Sequence, residues 1–245
     1  MDETLSTMLR RLRLSNLLGN WDPYVKLARK RRWSPEGLLR HVIEQEYRTK
    51  VENARLARLR RAKIPEMLEI ETYPFDMQPK LDRKKILSLY DSFTYMTESR
   101  NMIWVGPTGV GKSGLATAFL IQAIHRGYSG RYVLFQDLVE EMFGSAADRS
   151  EANVLKRYLA YDCLLIDEMG YLEMEPAQVN LFFSLMHKRH RKKPTLLTSN
   201  LGFSEWSSFL KNDHLTAALV DRLTELSYVI NMKKCVSLRP KLGTV

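Results

Sequence analysis

The sequence predicts an α/β protein: a five-stranded parallel sheet flanked by helices, preceded by a small all-α basic domain. Three observations predict it. Beyond residue 81, short apolar runs alternate with longer amphipathic stretches, the pattern of a parallel sheet covered by helices. Before residue 64, apolar residues recur three to four apart, as on the buried face of a helix. The charge is also lopsided: residues 1–63 hold 16 Lys/Arg and 7 Asp/Glu, whereas the rest of the 245-residue chain holds 22 and 21. A like-charge excess attracts polyanions and opposes compaction, so its confinement to one short segment marks a surface for phosphate backbones.

Composition removes several classes. With 44% hydrophobic residues the chain has enough apolar surface for a folded core, and with two cysteines it is no disulfide scaffold. Cys163 and Cys235 stand far apart, so no zinc site is expected, and a reducing, cytoplasmic setting suits both. No apolar run approaches the roughly 20 residues that span a bilayer, and Met1-Asp2-Glu3 opens no signal peptide. No membrane association is expected.

A first helix is expected around Leu5, Met8, Leu9 and Leu12, ending near Gly19 and Asn20. A second should start at Ser34, whose hydroxyl caps free N–H groups, with Pro35 in the first turn. Its buried stripe would be Leu38, Leu39, Val42, Ile43 and Tyr47, and it would run to Ile64-Pro65. Pro65, Pro74 and Pro79 then predict an extended connector. The expected domains are therefore 1–64, basic and DNA-binding; 65–80, a linker; and 81–245, the α/β domain. After a helix over 82–96, strands are expected at 102–105, 131–135, 163–166, 195–199 and 228–231.

The motif that carries chemistry lies after the first of these strands: Gly106, Pro107, Thr108, Gly109, Val110, Gly111, Lys112 and Ser113 match the P-loop pattern in full. Its glycines let backbone N–H groups turn toward phosphates at a helix N-terminus, Lys112 reaches the terminal phosphates, and Ser113 ligates Mg²⁺. ATP and Mg²⁺ are the expected cofactors. The third strand ends in Asp167-Glu168, a Walker B pattern in which Asp167 holds Mg²⁺ and Glu168 polarises the water that attacks the γ-phosphate. The fourth ends in Asn200, which would help place that water if the two strands are neighbours.

With those motifs, and with Leu9 to Leu18, the Arg61-Ala62-Lys63-Ile64-Pro65 run and Ser237-Leu238-Arg239, the sequence resembles the AAA+ ATPases. Within that group it resembles the IstB family of IS21-type transposition helper ATPases, relatives of the DnaC helicase loaders. The resemblance implies that Asn200 is the sensor 1 residue and that Arg222, within Leu219 to Leu223, is an arginine finger acting in a neighbouring subunit. It also implies a homo-oligomer with ATP at its subunit interfaces and a partner transposase recruited to duplex DNA. The short tail after Arg222 implies a reduced or absent C-terminal lid, leaving Arg239 as the candidate for sensor 2 and nucleotide contact.

The candidate DNA-phosphate contacts are the N-terminal cations Arg10, Arg11, Arg13, Arg29, Lys30, Arg31, Arg32, Arg48, Arg55, Arg58, Arg60, Arg61 and Lys63. The second basic run, His187 to Lys193, ends a helix, where cations complement the helix dipole. Tyr24, Trp33 and Tyr47 read as helix core, and His41, His125 and His214 as structural residues. The competing functions are a DnaC-like helicase loader, a P-loop kinase of a small metabolite, and a nucleotide-switched DNA-binding module that does not hydrolyse ATP. Asp167-Glu168 with Asn200 points to water as the acceptor and so away from the kinase.

Overall fold

A computed structural model describes residues 1–147, 151–170 and 174–239. The chain divides into two compact units, residues 1–57 and 58–245, with the division falling inside one long helix.

The first unit is helical. Helix α1 (Glu3–Arg11) is capped by Asp2, whose carboxylate accepts the Leu5 N–H at 2.7 Å. Helix α2 (Ser15–Arg31) runs through the predicted stop: Asn20 leaves helical φ/ψ, but its side chain donates back to the Asn16 carbonyl and the helix resumes. Helix α3 (Pro35–Ala62) starts as expected, with the Ser34 hydroxyl accepting from the Gly37 N–H.

Polar bonds join α2 to α3. The Asn16 amide donates to the Thr49 hydroxyl at 2.7 Å, and the Leu17 N–H to the buried Glu46 carboxylate at 3.0 Å. Tyr24 and Trp33 pack on the His41 ring, although each is only partly buried. The predicted stripe on α3 is split, because Leu38 and Val42 are partly covered whereas Leu39, Ile43 and Tyr47 are exposed. A 3.6-residue period assigns residues to a face but does not say how wide a neighbouring helix will be.

The second unit begins with the last turn of α3. Residues 65–80, where prolines predict an extended connector, form two 3₁₀ turns at Ile70–Thr72 and Phe75–Met77. They are fastened to the P-loop: the Tyr73 hydroxyl and the Gln78 amide both donate to the Val110 carbonyl, at 3.1 and 3.2 Å. Helix α4 (Arg83–Ser92) is capped by Asp82. Phe93, in the left-handed conformation, separates it from the one-turn helix α5 (Thr94–Thr97), so the predicted 82–96 helix is broken.

The sheet and its cover follow in order: β1 (Asn101–Val105), α6 (Lys112–His125), β2 (Gly130–Leu134), α7 (Phe135–Ala147), α8 (Glu151–Ala160), β3 (Cys163–Met169), α9 (Pro176–Arg189), β4 (Thr195–Ser199), α10 (Trp206–Leu210), α11 (Asp213–Thr224) and β5 (Ser227–Asn231). All five predicted strands are present. They pair in parallel in the order β2-β3-β4-β1-β5.

Alternation along each strand sends side chains to two cores. Met102, Trp104 and Leu165 meet Leu115 and Phe119 of α6 and Tyr95 of α5 on one face. Ile103, Val105, Leu164 and Ile166 meet α7, α9 and α11 on the other. The order places the ends of β1, β3 and β4 side by side, with the P-loop after β1, and open α/β sheets bind ligands at that edge. Among the described residues no helix follows β5.

The basic run at the end of α9 has intramolecular partners. Arg189 is buried, and its guanidinium donates to the Tyr158, Tyr161 and Pro194 carbonyls and the Thr195 hydroxyl. Burial brings its pKa down to about 10, so it stays charged near neutral pH. His190 and Arg191 pair with Glu225, and Lys193 with Asp162. Arg189→Met would strand buried carbonyls at the α8–β3 and α9–β4 joins, and should lower the urea-unfolding free energy by about 3 kcal/mol. An unchanged urea midpoint and slope would refute that role.

Candidate nucleotide site

Two glycines of the P-loop meet hard steric limits. A Cβ on Gly106 would lie 2.8 Å from the Met232 backbone carbon, and Gly111 has φ +90° with its Cα facing the Tyr73 hydroxyl. The loop then opens α6, whose N-terminus adds positive potential to the site.

Lys112 is mostly buried, and its ammonium donates to the Gly106 and Pro107 carbonyls, both at 2.8 Å, and to Asn200 Oδ1 at 2.6 Å. Burial lowers its pKa, a shift that the nearby Asp167 and Glu168 carboxylates oppose. β4 pairs with β3, as expected, and also with β1, which brings Asn200 to Lys112.

Asp167 is buried and accepts from three hydroxyls. Ser113 donates to Oδ1 at 2.8 Å, Thr198 donates to the same oxygen, and Tyr132 donates to Oδ2 at 2.8 Å. Burial and the Asp167 charge raise the Tyr132 pKa far above its usual value, so it remains a donor. The sequence alone assigns no role to Thr198 or Tyr132. Thr198 is one of three hydroxyl residues, with Thr195 and Ser199, in a fully buried strand, and its sequence does not say which of them meets an acid; Tyr132 lies on an edge strand outside any motif.

Glu168 follows in the left-handed conformation, φ +62°, at a register shift between β3 and β4. Its N–H donates to Thr198 Oγ1 at 2.9 Å, which holds the irregularity in place. A non-glycine residue there is strained by about 1–2 kcal/mol, and a bulge of this kind re-aims a side chain. The Glu168 side chain is consequently exposed on the cavity wall while its neighbour Asp167 stays buried.

The cavity measures about 310 Å³. Lys112, Ser113, Glu168, Asn200 and Arg239 are among its lining residues, as are Leu68, Tyr73 and Pro74 with the acidic Glu66 and Glu69. Arg239 is held by the tail: the Leu238 N–H donates to the Gly109 carbonyl at 2.8 Å, and Gln78 exchanges two bonds with the Val236 backbone.

A family model for IstB-like ATP-binding proteins matches residues 7–242. The chain belongs to that family. Among its curated relatives, the putative ATP-binding protein of insertion sequence IS21 from Pseudomonas aeruginosa is 31% identical over 94% of this chain and 86% of its own length. That of IS5376 from Geobacillus stearothermophilus is 28% identical over 95% and 92%. Solved structures share the AAA+ fold. The DnaC helicase loader aligns with TM-score 0.54 at 22% identity, covering 62% of this chain and 88% of its own. AMPPCP-bound DnaA from Aquifex aeolicus gives 0.56 at 18%, covering 69% and 51%. This IstB-like chain is thus an ATP-binding protein of the transposition-associated IS21 group with an AAA+ core.

Arg222 does not line its own chain's cavity. Its guanidinium lies 4.8 Å from the Phe183 ring centroid, its Nε donates to His187 Nδ1 at 3.2 Å, and an Nη donates to the Ala218 carbonyl. Of the candidate DNA contacts in the first unit, Arg10, Arg11, Arg13, Arg29, Lys30, Arg31, Arg32 and Arg48 are exposed, and Arg55 is half-buried in an ion pair with Glu52. In the second unit Arg60, Arg61 and Lys63 are exposed, whereas Arg58 is half-buried with its Nε shielded from solvent.

Proposed function

We propose that this IstB-like protein is a Mg²⁺-dependent ATPase that binds duplex DNA through its basic helical N-terminal region, residues 1–64. In this reading it assembles with ATP between subunits and recruits or stimulates a partner transposase, and hydrolysis resets the assembly. The observation that carries the reading is the pairing of a buried Asp167 on the Ser113 hydroxyl with an exposed Glu168 on the cavity wall. A group that anchors and a group that faces an attacking water are the two parts hydrolysis requires.

The donor set fits Mg²⁺. The Ser113 hydroxyl and the Asp167 carboxylate are hard oxygens 2.8 Å apart, and this ion is commonly held by one or two such groups with phosphates and waters. When bound it supplies charge neutralisation at the β- and γ-phosphates. The remaining work falls to the chain: the P-loop N–H groups and Lys112 hold the phosphates, Glu168 takes up a proton from water, and Asn200 orients that water. Arg239 acts as sensor 2 from the tail, and Arg222 reaches the γ-phosphate of a neighbouring subunit.

ATP hydrolysis by the purified protein, alone and with duplex or single-stranded DNA, tests this while particle mass is followed in the same samples. Duplex-dependent assembly with turnover is expected. A preference for single strands would favour a helicase loader, and turnover only with a small acceptor would favour a kinase. Assembly and DNA affinity indifferent to ATP would overturn the proposed linkage.

A further inference from the structure

A second cavity, about 720 Å³, opens in the ATPase unit between the end of α3, the outer edge of β2, and α8. Arg60, Arg61, Lys63 and Arg131 line it, and none of the four forms an ion pair among the described residues. Its other cation, Arg157, is neutralised by Glu141. Arg131 belongs to the predominantly neutral part of the sequence, yet its guanidinium donates to the Arg61 carbonyl at 3.4 Å and joins the N-terminal cations there. The cavity is open, and its five cations outnumber its two acids, Asp137 and Glu141, which suits a chain of phosphates better than a buried small molecule.

The next residue on β2 belongs to both cavities' chemistry. Tyr132 lines this cleft and carries its hydroxyl to Asp167 Oδ2 at 2.8 Å, on the opposite side of the carboxylate from Ser113. A strand seated against β2 would restrict the Tyr132 ring and hold its hydroxyl on Asp167, and a fixed Asp167 favours the nucleotide complex.

We propose that this cleft binds the phosphodiester backbone of a nucleic acid, and that Tyr132 is the positioning residue that relays its occupancy to Asp167. The inference rests on the DNA-binding reading above and adds to it a phosphate contact on the ATPase core, Arg131, and a route between the two ligands. Coupling between sites is reciprocal, so a non-hydrolysable ATP analogue tightens duplex binding by the factor by which duplex tightens the analogue.

The test is fluorescence anisotropy of a labelled duplex with the full chain across a salt series, with and without the analogue. Arg131→Ala should reduce the slope of log affinity against log salt by about 1, and the double variant Arg60→Ala/Lys63→Ala, altered only at exposed side chains, by about 2. Lys84→Ala, an exposed cation on α4 outside the cleft, should leave the slope at the wild-type value. Tyr132→Phe should keep the wild-type salt slope, lower the melting temperature modestly because the buried Asp167 loses a donor, and lose the coupling factor in both directions. Wild-type slopes in both cleft variants would overturn the cleft alone, and full coupling in Tyr132→Phe would overturn the relay. A wild-type chain without duplex affinity would overturn the DNA-binding reading and the cleft together.

Discussion

Glu168→Gln should bind ATP with wild-type affinity and hydrolyse it about 10²–10⁴-fold more slowly, the range lost when a general base is removed. The separation follows from where the two acids lie. Asp167 is buried under three hydroxyl donors, whereas Glu168 is exposed, and only its backbone N–H is tied down. An amide preserves shape and hydrogen bonding at position 168 while removing the proton acceptor. Asp167→Asn should instead weaken nucleotide binding in the presence of Mg²⁺, because it removes the negative charge and one of the two hard oxygens available to the ion. Single-turnover hydrolysis beside equilibrium titration of a fluorescent ATP analogue separates the two effects. Substantial turnover in Glu168→Gln would mean that the water is activated elsewhere, and weakened binding would mean that Glu168 holds the nucleotide.

Most of the sheet was legible because its signals are local. Buried parallel strands read as continuous apolar runs, and the P-loop has a fixed spacing imposed by phosphate geometry, so all five strands and the Lys112–Ser113 site could be placed from sequence. Asn200 near Asp167 required only that β3 and β4 be neighbours, and its bond to Lys112 follows from β4 also pairing with β1. What was not legible depends on distant partners. Gln78 and Tyr73 look like linker residues until Val110 and Val236 come to rest against them. Asn20 looks like a helix stop until its amide finds the Asn16 carbonyl. In the basic run at the end of α9, Arg189 reads like its charged neighbours, and only the packing of α8 and β4 makes it a buried donor. Tyr132 is the extreme case, since its partner lies 35 residues away on the adjacent strand.

Arg222→Ala should lower turnover of the assembled protein about 10³–10⁵-fold, the range an arginine finger contributes. Nucleotide affinity of the single chain should not change, since Arg222 does not line that chain's own cavity. Stability should fall only by about 0.5–1 kcal/mol, the value of a partly exposed cation over an aromatic ring such as Phe183. A loss of turnover this large with so little change in binding or folding distinguishes a residue that works on a neighbour from one that works at home. Mixing makes the distinction direct. Arg222→Ala keeps its Glu168 and Glu168→Gln keeps its Arg222, so a mixed assembly contains junctions with both groups intact. Turnover should reappear on mixing two proteins that are each nearly inactive, and should rise and fall with their ratio. If Arg222 acted within its own chain, no mixture would recover activity, because every chain would lack one of the two groups. Recovery with duplex present but not without it would tie the subunit junction to assembly on DNA, and recovery independent of duplex would separate them.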